Sequence, residues 1–135
     1  TDGTLWTWGN NNFGQLGNGS TVNASTPVTT FSGGTNWKHV SVAGNTVVAV
    51  AAVKTDGTLW LWGRNDYGQI GSGGGSTLTQ FTLPTGKTPL GISCGLYHTV
   101  MLMTDGTVYG CGRNDVGQLA SGGLEQGTQR VWALS

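Results

Sequence analysis

The sequence predicts an all-β fold, a partial β-propeller built of four-stranded antiparallel blades. Three observations predict it. One pattern occurs three times, starting at residues 1, 55 and 104: TDGTLWTWGNNNFGQLGNG, TDGTLWLWGRNDYGQIGSG and TDGTVYGCGRNDVGQLASG. A period of about 50 residues is the mark of a solenoid, propeller or array. Between the copies lie pairs of Val-rich apolar runs split by glycine, such as Trp37–Val42 and Thr46–Val53, the composition of short strands. No stretch carries apolar residues at the helical spacing of 3.6, and the 25 glycines follow no three-residue period that would suggest collagen.

The first copy opens with Asp2-Gly3, a turn dipeptide suited to the positive φ of tight hairpins. Thr4–Gly9 alternates as a strand does, and Asn10–Gly19, with four Asn and three Gly, reads as an ordered loop. Pro27–Phe31 is a candidate edge strand, where a missing N–H costs little. Trp37–Val42 and Thr46–Val53 follow, then Asp56-Gly57 turns the chain into Thr58–Gly63. There Leu59 and Leu61 share one face and Trp60 and Trp62 the other, so this strand is expected to be buried on both sides. Arg64–Gly75 repeats the loop, and Phe81–Pro84 takes the place of the Pro27–Phe31 strand. Leu90–Cys94 and His98–Met103 form the next split pair, hinged at Gly95-Leu96-Tyr97; Thr107–Gly112 is the third double-faced strand and Arg130–Leu134 the last.

Each full unit therefore carries strands A, B, C and D in order, a propeller blade. Residues 1–36 make a half-blade, 37–87 one blade and 88–135 another, and the open half-blade suggests a part of a longer chain. Cys94 on strand A and Cys111 on strand C have strand B between them, so free thiols are expected instead of a disulfide.

The repeated unit resembles the regulator of chromosome condensation repeat family. The resemblance rests on Gly95-Leu96-Tyr97-His98-Thr99, Asp105-Gly106, Val108-Tyr109, Cys111-Gly112, Asn114 and Gly117-Gln118-Leu119. The second copy matches it at Asp56-Gly57, Leu59-Trp60, Trp62-Gly63, Asn65 and Gly68-Gln69-Ile70-Gly71, and the first at Asp2-Gly3, Leu5-Trp6, Trp8-Gly9, Asn11 and Gly14-Gln15-Leu16-Gly17. It covers essentially the whole chain. Departures are the stretch after Gly44, which lacks the histidine, and Ala120 in place of Gly17 and Gly71. The resemblance implies a ring of blades that works by presenting loops to partner proteins.

Most residues with chemical potential recur with the repeat, which argues for architecture. Asp2, Asp56 and Asp105 recur because the Asp-Gly turn recurs, and Gln15, Gln69 and Gln118 are expected to brace loop backbone. His98 holds the family's histidine position and is read as a structural residue bonding backbone; His39 faces solvent or a neighbouring blade. Asp66 and Asp115 lack the close set of oxygen ligands that calcium needs, and Asn12 replaces them in the first copy. The Gly71–Gly75 run lacks the Lys and helix of a phosphate loop. Neither a catalytic constellation, a metal site nor a cofactor site is expected, and the chain is read as no enzyme. Trp6, Trp8, Trp60 and Trp62 sit at strand positions and are expected in the core. Phe13, Trp37, Tyr67 and Trp132 are the candidate interface residues, since aromatic side chains dominate binding hot spots.

Six Lys and Arg balance six Asp and Glu, so no net charge draws the chain to nucleic acid or an anionic membrane. The longest apolar run, Val47–Val53, is seven residues and too short for a membrane helix. The reading is a structural, protein-interaction module whose partners are other chains of a larger assembly, without nucleic acid or membrane insertion. Its low charge favours an extracellular or virion location. Two alternatives come from the resemblance. One is guanine-nucleotide exchange with chromatin binding, which calls for a basic patch and a wedge loop that this chain does not show. The other is a secreted inhibitor of β-lactamase-like enzymes.

Overall fold

The computed structural model describes residues 2–31, 33–44, 48–71, 75–119 and 127–133, with backbone alone for 75–77 and 127–133. Ten strands follow one another: β1 (Trp6–Gly9), β2 (Ala24–Thr29), β3 (Trp37–Val42), β4 (Ala49–Lys54), β5 (Leu59–Gly63), β6 (Gly75–Phe81), β7 (Pro89–Cys94), β8 (His98–Met103), β9 (Thr107–Gly112) and β10 (Gly127–Ala133). They form a two-stranded sheet, β1-β2, and two four-stranded sheets, β3-β4-β5-β6 and β7-β8-β9-β10. All neighbours are antiparallel. Each sheet is one blade, with consecutive strands adjacent, as short hairpin connections require.

Strands A, B and C lie close to where the sequence puts them, allowing that residues 46 and 47 fall outside the described residues. The outer strand D does not. All three D strands begin upstream of the expected runs: β2 at Ala24, β6 at Gly75 and β10 at Gly127. Register is the reason. Gly9 pairs with Ala24, Gly63 with Gly75 and Gly112 with Gly127, each next to a bulge, so D must start opposite the last residue of C. The D strands open on Ala24, Gly75 and Gly127 and go on with Ser, Thr and Gln, because an edge strand needs no continuous apolar face. Phe81, expected to start a strand, instead ends one. Leu134, placed in the last strand by sequence, and Ser72–Gly74 of the glycine run lie outside the described residues.

The core sits between blades. Leu59 and Leu61 of β5 join Ala49, Ala51, Val53, Ile70 and Phe81 against Met101, Met103, Tyr109 and Cys111 of the next blade. The opposite face of the same blade puts Val50, Ala52, Trp62 and Leu78 against Leu5 of the half-blade, with Trp37, Val48 and Trp60 at the margin. β5 is therefore buried on both faces. One donor repeats across both seams. The Trp62 indole N–H donates to the Gln15 carbonyl (2.9 Å), and the Cys111 thiol, at the same place in the next copy, donates to the Gln69 carbonyl (3.2 Å).

Trp6 and Trp8 are not in the core: they are 50% and 63% exposed, while Trp62 is fully buried. In the other copies this face packs on the blade that precedes it, and β1 has only β2 beside it among the described residues. Both indoles line an open slot of about 390 Å³ together with Val42, Ala43 and Val48.

Burial at Leu61 and exposure at Trp8 set opposite expectations. Leu61→Ala should lower the unfolding free energy by about 2–5 kcal/mol, and Trp8→Ala in this chain by about 0.5 kcal/mol or less. Urea denaturation of the two variants checks the assignment of faces; equal losses would refute it.

Candidate functional site

The three loops joining strands C and D gather at one rim of the sheets. Each is closed by the same hydrogen bonds. The Asn11, Asn65 and Asn114 side-chain carbonyls accept from the N–H of Leu16 (2.9 Å), Ile70 (3.1 Å) and Leu119 (2.9 Å). The Gln15, Gln69 and Gln118 side-chain carbonyls accept from the N–H of Phe13 (2.9 Å), Tyr67 (2.9 Å) and Val116 (3.1 Å). Gln thus braces its loop as the sequence suggested, while the role of Asn was missed; its recurrence in all three copies was the available signal. Leu16, Ile70 and Leu119 are buried and plug each loop into the core. Asn11 and Asn114 are fully buried, so removing their amides would strand backbone donors in a dry setting.

This bracing holds Phe13, Tyr67 and Val116 at equivalent places on the rim. Phe13 lies under the Arg64 guanidinium of the next blade, 4.6 Å from ring centre to Cζ. Tyr67 meets Tyr97 edge-on, with ring centres 4.8 Å apart, and Arg113 of the next blade stands 5.4 Å from Tyr67 and 5.3 Å from Tyr97. Each arginine also binds the carboxylate two residues on: Arg64 Nε to Asp66, and Arg113 Nε to Asp115 at 2.8 Å with a second contact from Nη2. Val116 is 79% exposed. Arg64, Arg113 and Tyr97 were not singled out from sequence, although an Arg directly after the strand glycine with Asp two residues later is visible in copies two and three.

Of the four candidate interface residues, the rim unites Phe13 and Tyr67 alone. Trp37 is at the other end of its blade, paired with Lys54 beside the Asp56-Gly57 turn. It is half-buried, 6.3 Å from Trp62, and its indole N–H reaches the Gly33 carbonyl at 3.3 Å. The Lys54 ammonium lies 4.7 Å from both Trp37 and Trp60. Trp132 pairs through its backbone with Val108, and its side chain is outside the described residues.

The Asp-Gly turns, His98 and the two cysteines lie elsewhere in the blades. Asp2, Asp56 and Asp105 each accept from the backbone and hydroxyl of the Thr two residues on, the Asx turn that starts strand C. His98 is half-buried against Gly95, and among the described residues its ring has no hydrogen-bond partner, contrary to the expected backbone bond. Burial lowers its pKa. Both cysteines are free. Cys94 and Cys111 each pair with Thr99, from opposite sides, so strand B separates them as expected. Among the described residues no three His, Cys, Asp or Glu side chains come together as a metal site would need.

The family model described as "Regulator of chromosome condensation (RCC1) repeat" matches residues 2–50 and 56–102, and a second model of the same description matches 91–118. The human E3 ubiquitin-protein ligase HERC2 is 39% identical over 74 residues, 54% of this chain and 2% of that protein. The crystal structure of human WBSCR16 superposes with a TM-score of 0.78 over 99% of this chain and 36% of its own, at 23% identity. Yeast RCC1 (Prp20) bound to Kap60 gives a TM-score of 0.71 at 27% identity, over 84% of this chain and 26% of Prp20. A second structure of Prp20p from Saccharomyces cerevisiae, described with its binding to Gsp1p and histones, gives 0.69 at 26% identity, over 83% of this chain and 27% of that one. The fold is thus that of a β-propeller, and the chain spans a small part of each of these proteins.

Two measurements test the local chemistry. The Asp2, Asp56, Asp105 and Asp115 carboxyls sit below their ordinary value of 3.8, held there chiefly by Thr4, Thr58, Lys87 and Arg113 respectively. A carboxyl lowered by folding stabilises fully above its unfolded pKa and loses that contribution as pH falls through the folded one. The melting temperature should therefore begin to decline below about pH 6.5, where unfolding lets His98 take up a proton that burial disfavours, and drop further below about pH 4, with a smaller drop on that acid limb in Asp105→Asn; an unchanged acid limb in that variant would remove Asp105 from the account. Burial pushes the Cys111 thiol up to about 12. At about pH 8, a thiol reagent should label it only upon unfolding, and fast native labelling would contradict its place in the core.

Proposed function

The chain belongs to the regulator of chromosome condensation repeat family, and on that premise we propose that it is a non-enzymatic protein-interaction segment of a larger β-propeller. It offers its loop rim to other protein chains. The observation that carries this reading is the threefold bracing of the rim. Asn and Gln fix each loop from inside, so Phe13, Tyr67 and Val116 are presented in ordered, equivalent positions. Loops positioned by a rigid scaffold are where binding residues concentrate, and a pre-ordered loop loses little entropy on association. The larger ring draws support from the slot beside β1, where the exposed Trp6 and Trp8 repeat positions that are covered in the other copies.

A second reading, exchange on a small GTPase, is favoured by the likeness to Prp20p, for which binding to Gsp1p and histones is described. An extracellular location has only the low charge content in its favour.

The rim has no lysine, so zero-length coupling through Asp66 and Asp115 in the intact protein is a suitable probe. Partner peptides should attach there, and Val116→Arg should weaken association about ten-fold or more, as loss of a hot-spot residue does. Attachment confined to Asp2, Asp56 and Asp105, in the Asp-Gly turns away from the rim, would overturn the rim assignment. Acceleration of labelled GDP release from a small GTPase would replace the first reading with the second.

A further inference from the structure

We infer that the rim carries a repeating inter-blade clamp, in which an arginine of one blade locks the binding loop of the blade before it. This concerns the rim itself and stands apart from the identity of any partner. The two instances share every part. Strand C ends in a glycine, Gly63 or Gly112, with φ of 98° or 112°. A Cβ there would lie 2.4 Å from the Val48 carbonyl oxygen or 2.3 Å from that of Tyr97, so only glycine lets the strand end wrap the A–B connection this closely. The next residue is the arginine, whose N–H donates to that same carbonyl, Arg64 to Val48 at 3.0 Å and Arg113 to Tyr97 at 2.8 Å. Its backbone is thereby pinned to its own blade while its side chain reaches back across the seam to Phe13 or Tyr67.

The carboxylate two residues on completes the device. A partly exposed ion pair contributes little by itself. Its use here is to orient: with Nε held by Asp66 or Asp115, the guanidinium plane is set before it meets the ring. A guanidinium can serve a carboxylate through its edge and a ring through its face at once, which an ammonium cannot. The first copy shows the converse. Asn10 and Asn12 replace the Arg and Asp, and Asn10 accepts from the side-chain amide of Gln15 in its own loop, at 2.9 Å. Val116 likewise offers no ring face. The clamp is thus a property of two seams, half-blade to second blade and second to third.

Amide hydrogen exchange in the intact protein tests it, because the clamp predicts an effect in a blade other than the mutated one. Arg64→Met should speed exchange at Phe13 and Leu16 roughly two- to five-fold, the worth of an exposed cation–π contact. Tyr67 and Ile70 should respond in the same way to Arg113→Met. Arg64→Lys should resemble Arg64→Met, and Phe13→Tyr should resemble the parent. Phe13→Leu with Arg64→Met should exchange no faster than the worse single variant. Additive effects, or changes confined to the mutated loop, would overturn the clamp. Should Arg64→Met loosen its whole blade, seen as faster exchange throughout β3 to β6, Phe13→Leu reads the same coupling from the other side. It should then speed exchange at Asn65 and Asp66, and their constancy would equally refute it.

Discussion

The structure depends on β5, strand C of the second blade, being covered on both faces by the blades beside it, and on the donor that strand C sends across each seam. Trp62 and Cys111 differ in size and chemistry, yet each delivers one hydrogen to the Gln carbonyl of the preceding loop. A bulky indole fills the seam with the half-blade; a thiol suffices where Met101, Met103 and Leu61 already occupy the space. Each contact joins burial to loop position. The apolar drive that brings two blades together is thus tied to where the rim loop sits.

Much of this was legible because it repeats. Asp-Gly turns, two-faced strands and Gln-braced loops recur in register, and a residue seen three times at one offset declares a backbone role. Strands A, B and C followed from periodicity for that reason. The D strands did not, since their placement is decided by pairing across a bulge and not by side-chain pattern. Trp6 and Trp8 show the limit from the other side. Their positions are identical to those of Trp60 and Trp62, but burial belongs to the assembly of blades and not to the residue. At the rim, Phe13 and Tyr67 were readable as aromatic exceptions in polar loops, whereas Arg64 and Arg113 looked like ordinary surface charges until the seam placed a ring beneath them.

Trp37 has no counterpart in the other copies, and binding residues are often such exceptions. Its surroundings also give it a packing task, between Trp62 on one side and Lys54 on the other. A long cationic side chain covers apolar surface well when its head finds a ring face, and Lys54 finds two.

Such commitments bear on what the rim can recognise. With 9% charged residues, this chain has few ions to spend on a partner. Arg64 and Arg113 are each engaged by a carboxylate and a ring, Lys54 by two rings, and Lys87 by Asp105 and Thr107. An anion approaching the rim meets guanidinium groups whose Nε is already taken by Asp66 or Asp115, so their charge is largely offset. What the rim leaves open is Val116, loop backbone already set in place, and the aromatic rings of Phe13 and Tyr67. The same arginines that carry charge at the rim are thus the ones that hold neighbouring loops together, so charge and loop order there cannot be changed independently.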